Sequence, residues 1–139
     1  MASWNDSVIE TFRANRGVLG GHWEGKTVIL MHSIARKSGK VYVHPLVAAP
    51  YEDAFLVCGS QGGAPNDPLW VGNLEAATPP VTIEIGDETV KADYTVYRAE
   101  RDAEWERLYQ VWREYWPDAA EYEKKTDRRF PIARLQIRR

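Results

Sequence analysis

The chain has one cysteine, Cys58, and so no disulfide of its own, only two methionines, and no apolar run approaching the length that spans a bilayer. A lone thiol inside Phe55-Leu56-Val57-Cys58 reads as a small buried hydrophobe. Its three histidines, His22, His32 and His44, are spaced at intervals that match no metal-ligand pattern, and no metal is expected. No serine stands in a nucleophile-elbow context, so a hydrolytic triad is not expected either. A large excess of charge is also missing: the formal net charge is -2, which gives no reason to expect nucleic acid as a partner. Arg128, Arg129, Arg134, Arg138 and Arg139 concentrate positive charge late in the chain, where solvated faces are the simplest expectation. The opening MASWNDSVIE has no basic start followed by an apolar stretch, so no secretory signal is expected and the cytoplasm is the expected location.

What is present is an ordinary globular balance with an aromatic surplus. The 139 residues are 44% hydrophobic and 27% charged, enough for one domain over 1-139 with a core that needs no covalent staples. Aromatic residues make up 12%, including six tryptophans and seven tyrosines. Such side chains fill cores and line pockets for planar ligands equally well.

Spacing assigns the elements. Ser3 and Asp6 have capping-box separation, and Val8, Ile9 and Phe12 recur at helical intervals, predicting a short helix at about 4-16. Glycines 17, 20, 21 and 25 then predict a loop. Thr27 to Met31 and Val41 to Ala49 are strand-like runs joined by a basic Ser-Gly turn. Pro45 cannot donate to a ladder, so its strand lies at an edge or carries a bulge. A third strand, Ala54 to Ser60, leads into a helix from about Pro68 to Ala76, with Asp67 suited to its cap and Pro68 to its first position. Val81 to Ile85 and Val90 to Val96 alternate around a Gly86-Asp87 turn. From Glu100 to Trp116 the period becomes helical, with Trp105, Leu108, Tyr109, Trp112 and Tyr115 on one core-facing stripe, ended by Pro117. A short helical piece over Asp118 to Lys125 and a closing strand, Ile132 to Ile137, complete the chain. About six mostly antiparallel strands with flanking helices point to a small barrel or strongly curled sheet in the α+β class.

Two segments carry chemistry together. Ser60 to Asn73, SQGGAPNDPLWVGN, supplies backbone freedom and a helix start, and Arg36-Lys37-Ser38-Gly39-Lys40 supplies positive charge. Alone, the basic turn is a solvated hairpin turn and the glycine loop a plain connection. Together they place cations and exposed amides on neighbouring strand ends, as a flat ligand with an acidic tail requires. The candidate binding set is Arg36, Lys37, Ser38, Gly39, Lys40, Tyr42, His44, Pro45, Leu46, Ser60, Gln61, Gly62, Ala64, Asn66, Pro68, Leu69, Trp70 and Asn73. Trp70 reads equally as core. Trp116 and Tyr122, at and after the late helix break, are candidates for substrate contact.

The ordered motifs ARKSGK, HPL, SQGGAPNDPLWVGNL, PPVTIEIGDETVKA and YEKKTDRRFPI resemble the deazaflavin-dependent nitroreductase family of actinobacteria, over roughly Val28 to Ile137. The resemblance implies a split β-barrel like that of FMN-binding pyridoxamine-phosphate oxidases, binding coenzyme F420 in place of FMN. It implies that Lys37, Ser38 and Gly39 meet the phosphate and polyglutamate tail, and that Pro45 and Leu46 flank the ring. Ser60, Pro68, Leu69, Trp70 and Asn73 would complete the cleft, with Trp116 and Tyr122 toward the electron acceptor. Tyr42 stands where many relatives carry arginine, Gln61 where lysine is common and Ala119 where nitroimidazole-reducing members place tyrosine. Lys40 and His44 are expected to supply part of the charge so lost. The implied activity is hydride transfer from reduced deazaflavin to a quinone, activated enone or nitro compound, with Tyr122 or water giving the proton, in a monomer or homodimer. A non-catalytic F420 carrier, an FMN-dependent oxidoreductase and a peptide-binding module are the alternatives.

Overall fold

Val28, Ile29, Leu30 and Met31 are apolar on both alternating faces, and all four are buried. Burying such side chains stabilises by roughly 1.5-3 kcal/mol each, so this run sits between two packed layers. It lies in strand β1 (Val28–Ile34), within a computed structural model that describes residues 4-138. Ser3, expected to cap the first helix, and Arg139 lie outside the described residues. Ile29 and Met31 face a cluster with Val57, Val71, Ile83 and Leu135. Val28 and Leu30 face the other way, onto Phe12 of the first helix, α1 (Trp4–Ala14).

The remaining strands are β2 (Val41–Val47), β3 (Ala49–Tyr51), β4 (Ala54–Cys58), β5 (Val81–Ile85), β6 (Glu88–Tyr97) and β7 (Ile132–Ile137). They form one antiparallel sheet in the order β2-β1-β5-β6-β7-β4-β3. The sheet curls until β2 packs against β4. Helices α2 (Leu69–Ala76), α3 (Trp105–Tyr115) and α4 (Ala119–Glu123) flank it. None of the described helices is long and apolar enough to cross a membrane.

Pro45 lies in an edge strand opposite Leu30, and the β1-β2 register runs without a break from Val28↔Val47 to Ile34↔Val41. The edge position alone therefore accommodates the missing N–H, with no bulge. Four other expectations change. Val41 to Ala49 is two strands, because β2 stays paired with β1 as far as Val47 whereas Ala49 already pairs with Leu56 of β4, giving seven strands among the described residues. The late helix begins at Trp105, not Glu100, since Arg98 to Asp102 closes a turn in which Asp102 Oδ2 accepts the Arg98 N–H at 2.8 Å. Pro68, not Asp67, is the N-cap of α2, without a side-chain cap bond. Arg128 does not lie on a solvated face, because its guanidinium turns inward.

Candidate functional site

A cleft of about 1110 Å³ opens between the edge strand β2, the segment after β4, the start of α2 and the α3-α4 corner. β2 contributes His44, Pro45, Leu46 and Val47, and α2 contributes Leu69 and Trp70, so two walls are apolar and flat. Trp70 is both wall and core: it is buried with Val71 and Leu74 while lining the cleft.

The glycine segment is a short 3-10 turn, Gln61–Gly63, with Gln61, Gly62 and Gly63 all at positive φ. Gly63 is required by space as well as by conformation, since a Cβ there would stand 2.7 Å from Tyr122 O. That close approach brings α4 against the turn. Arg128 fixes the segment from behind, donating to Gly59 O at 3.0 Å, Ser60 O at 2.9 Å and Ala64 O at 3.1 Å, and pairing with Asp67 Oδ1. Asp67 also accepts from Arg98 at 3.0 Å. With its side chain only 15% exposed, Arg128 spends its donors on the protein, which explains an arginine in Thr126-Asp127-Arg128.

The basic turn is attached differently. Asn73, buried on α2, accepts the Arg36 guanidinium at 2.9 Å and the Arg36 backbone N–H at 3.3 Å. Gly72 leaves room for that guanidinium, because a Cβ there would meet Arg36 Nη1 at 2.7 Å. The turn is thereby tied to α2 next to Leu69, whose carbonyl Arg36 also reaches at 3.5 Å. Lys37, Ser38, Gly39 and Lys40 remain exposed; Ser38 Oγ accepts the Lys40 N–H at 3.2 Å, and the Lys40 ammonium stands 5.5 Å from the Tyr42 ring centre.

At the other end the walls are aromatic. Trp112 and Trp116 come from the α3 stripe and its end, and Trp116 Nε1 donates to the Tyr122 hydroxyl at 3.2 Å. Burial pushes the Tyr122 phenol up from its ordinary value, so it keeps its proton at neutral pH. His22 Nε2 and Asp118 Oδ2 meet at 2.6 Å over this end, with the His22 ring edge-on to Trp116 at 5.1 Å. Tyr109 donates to Glu123 at 2.7 Å, and burial together with that carboxylate pushes its phenol up as well. Cys58 lies in the wall, and burial holds its thiol well above the ordinary range.

Of the expected residues, His44, Pro45, Leu46, Ser60, Gln61, Gly62, Asn66, Pro68, Leu69, Trp70, Trp116 and Tyr122 line this one cleft. Arg36, Lys37, Ser38, Gly39, Lys40, Tyr42, Ala64 and Asn73 do not; Arg36 and Asn73 bond each other, and Ala64 is held by Arg128. Burial pushes the His44 imidazole below its ordinary value, which disfavours the charge expected of it. Sequence reasoning missed His22, Trp23, Trp112 and Asp118 as lining residues. Trp112 gave only a core signal, and the pairing of His22 with Asp118 has no local signature at all. Among the described residues no group of three or more His, Cys, Asp or Glu is placed to hold a metal.

The family model for F420H(2)-dependent quinone reductase matches residues 4-136. An F420H(2)-dependent quinone reductase of Mycobacterium tuberculosis is 28% identical over 129 residues, covering 91% of this chain and 85% of that protein. The solved structure of an F420-H2 dependent reductase, FDR-A, superposes with a TM-score of 0.64 at 29% identity, covering 78% of this chain and 93% of the other. HutZ, a heme storage protein from Vibrio cholerae, has a TM-score of 0.58 at 16% identity over 97% of this chain and 91% of its own, a likeness of fold alone. The architecture is a split β-barrel, mainly β with α.

Proposed function

Because the chain belongs to the F420H(2)-dependent quinone reductase family and is an F420-dependent oxidoreductase, we propose that its cleft holds the reduced deazaflavin beside a quinone and passes a hydride between them. Activated enones and nitro compounds are secondary acceptors in this reading, which places the protein in the cytoplasm as a monomer or homodimer. The observation that carries it is the division of one cleft into a flat wall beside exposed cations and an aromatic end holding a protonated tyrosine.

The residues present fit the cofactor. A volume of about 1110 Å³ lies at the top of the range of about 300-1,000 Å³ usual for a single small ligand, leaving room for a ring and an acceptor together. Pro45, Leu46 and Trp70 offer apolar surface to a ring system. Ser60, Gln61 and Gly62 line the cleft, and among the described residues Lys37 and Lys40 pair with no carboxylate and stay exposed for an anionic tail. The bound deazaflavin supplies two-electron hydride chemistry at C5.

The protein's share of the work is orientation and one proton. Holding donor and acceptor at near-attack distance is worth effective molarities of about 10^5-10^8 M, so no dedicated base is needed. Trp112, Trp116 and Trp23 wall the acceptor end and exclude water. The Trp116 N–H fixes the Tyr122 oxygen and leaves the phenolic proton available to the reduced acceptor.

The test is to mix the protein with F420H2 and menadione and follow the return of oxidised-cofactor absorbance. Turnover is expected. Tight F420 binding without acceptor-dependent oxidation over a broad panel would replace the reading with that of a carrier, and a yellow purified protein with flavin fluorescence would replace it with FMN chemistry.

A further inference from the structure

We infer that Ser33 is a positioning residue: its hydroxyl donates to His44 Nε2 and holds His44 as the neutral Nδ1–H tautomer, which offers one N–H to a carbonyl oxygen or ring nitrogen of the ligand in the cleft. The ligand half of this inference rests on the proposed use of F420. The tautomer half does not.

The register of the β1-β2 pair sets up the contact. Met31 stands opposite His44 and Ser33 opposite Tyr42, so Ser33 and His44 are diagonal neighbours on one face of the sheet. Their side chains meet at 2.8 Å, Oγ to Nε2. Ser33 is 1% exposed, a polar residue in a strand whose first four positions are apolar and buried. Among the described residues its hydroxyl has no bond other than that to His44. Leaving a buried hydroxyl hydrogen without an acceptor is unfavourable, and His44 Nε2 is the acceptor within reach.

The direction of that bond decides the tautomer. If Nε2 accepts, a neutral imidazole carries its proton on Nδ1. An imidazolium would donate from both nitrogens and leave the Ser33 proton stranded. Burial also disfavours the charged ring, and the adjoining wall residues Pro45 and Leu46 bring no carboxylate to offset this. Nδ1 has no partner among the described residues and is not among the buried unpartnered atoms, while His44 lines the cleft. A neutral donor suits an uncharged heteroatom of a ring. A phosphate at that position would favour the imidazolium instead.

The experiment reads the tautomer directly, in 15N-labelled protein without cofactor at neutral pH, by long-range proton-nitrogen correlation, with His44 assigned from its absence in His44→Gln. The Nδ1–H pattern is expected in the unsubstituted protein, with a shift toward Nε2–H in Ser33→Ala and restoration in Ser33→Thr. An Nε2–H or imidazolium pattern in the unsubstituted protein overturns the proposal, and so does a Ser33→Ala spectrum with the tautomer unchanged. The unsubstituted spectrum decides the matter even if Ser33→Ala fails to fold. In a fluorescence titration with F420, Ser33→Ala should weaken binding about two- to tenfold and Ser33→Thr should recover it. Equal affinity in all three overturns the ligand half, whereas no F420 binding by the unsubstituted protein overturns the proposed function and leaves the tautomer result standing.

Discussion

Arg128 and the Lys37 to Lys40 turn are both cationic, and both adjoin segments that line the cleft, yet their charges are used in opposite ways. Arg128 is half-buried, engaged by three carbonyls and Asp67, and makes the glycine segment a fixed wall. The lysines are exposed and pair with no carboxylate among the described residues. Arg36 ties their turn to Asn73 and so holds the backbone while leaving the ammonium groups free. Position in sequence does not distinguish the two clusters. The difference is whether nearby acceptors already consume the donors, and that separates a cation that builds a site from one able to take a ligand.

The sharpest way to break the comparison is Arg128→Ala. It strands Asp67 against Arg98 alone and frees three carbonyls, so unfolding free energy should fall by about 1-3 kcal/mol, the cost of leaving polar groups without their partner. Unchanged denaturation would make Arg128 a ligand residue after all. Next in size, Tyr122→Phe should lower kcat about 100-fold with F420 affinity unaltered, since neither cationic cluster replaces the phenolic proton. Loss of affinity with kcat retained would reassign Tyr122 to the cofactor. Lys37→Ala should weaken F420 binding by about 1.5-3 kcal/mol while leaving thermal unfolding in place, the reverse of Arg128→Ala. Equal affinity in a titration would remove Lys37 from the site.

The smallest effect concerns acid. Glu84 is held below its ordinary 4.5 by hydrogen bonds from Arg13 and then His32, Glu75 by Arg98, and Glu123 by Arg113 and then Tyr109. A carboxyl with a depressed folded value stabilises fully above the ordinary value and loses that contribution as pH falls through the folded one. Each such partly exposed pair is worth at most about 1 kcal/mol. The urea midpoint should therefore drop between pH 5 and pH 3 (roughly the carboxylate range), and Glu84→Gln should flatten the drop.

Most of the sheet was legible because each strand carries its own pattern. Val28 to Met31 is apolar throughout and central, Val81 to Ile85 alternates and pairs with β6, and Pro45 announced an edge or a bulge, of which the structure has the edge. Trp70, Trp116 and Tyr122 were legible as cleft residues because the glycine segment and the helix break locate them. Where an element ends was harder to read. The chain changes partner from β1 to β4 between Val47 and Ala49, and Asp102 delays α3, through pairings that spacing does not reveal. Trp112 looked like core because a stripe of aromatic residues gives the same period whether its far side meets protein or a cavity.

Composition and periodicity by themselves determined most strand runs, limited the Pro45 strand to an edge or a bulge, and marked a basic turn and a glycine segment as candidates for one ligand. Those follow from local rules, the two-residue strand repeat and the missing proline N–H, which act within a few residues. Only the folded chain decided which cations stay free, that Asp67 braces two arginines in place of capping a helix, and that His44 is half-buried against Ser33. Each of these depends on burial and on an acceptor brought in from another strand or a distant helix, and a linear pattern contains neither quantity.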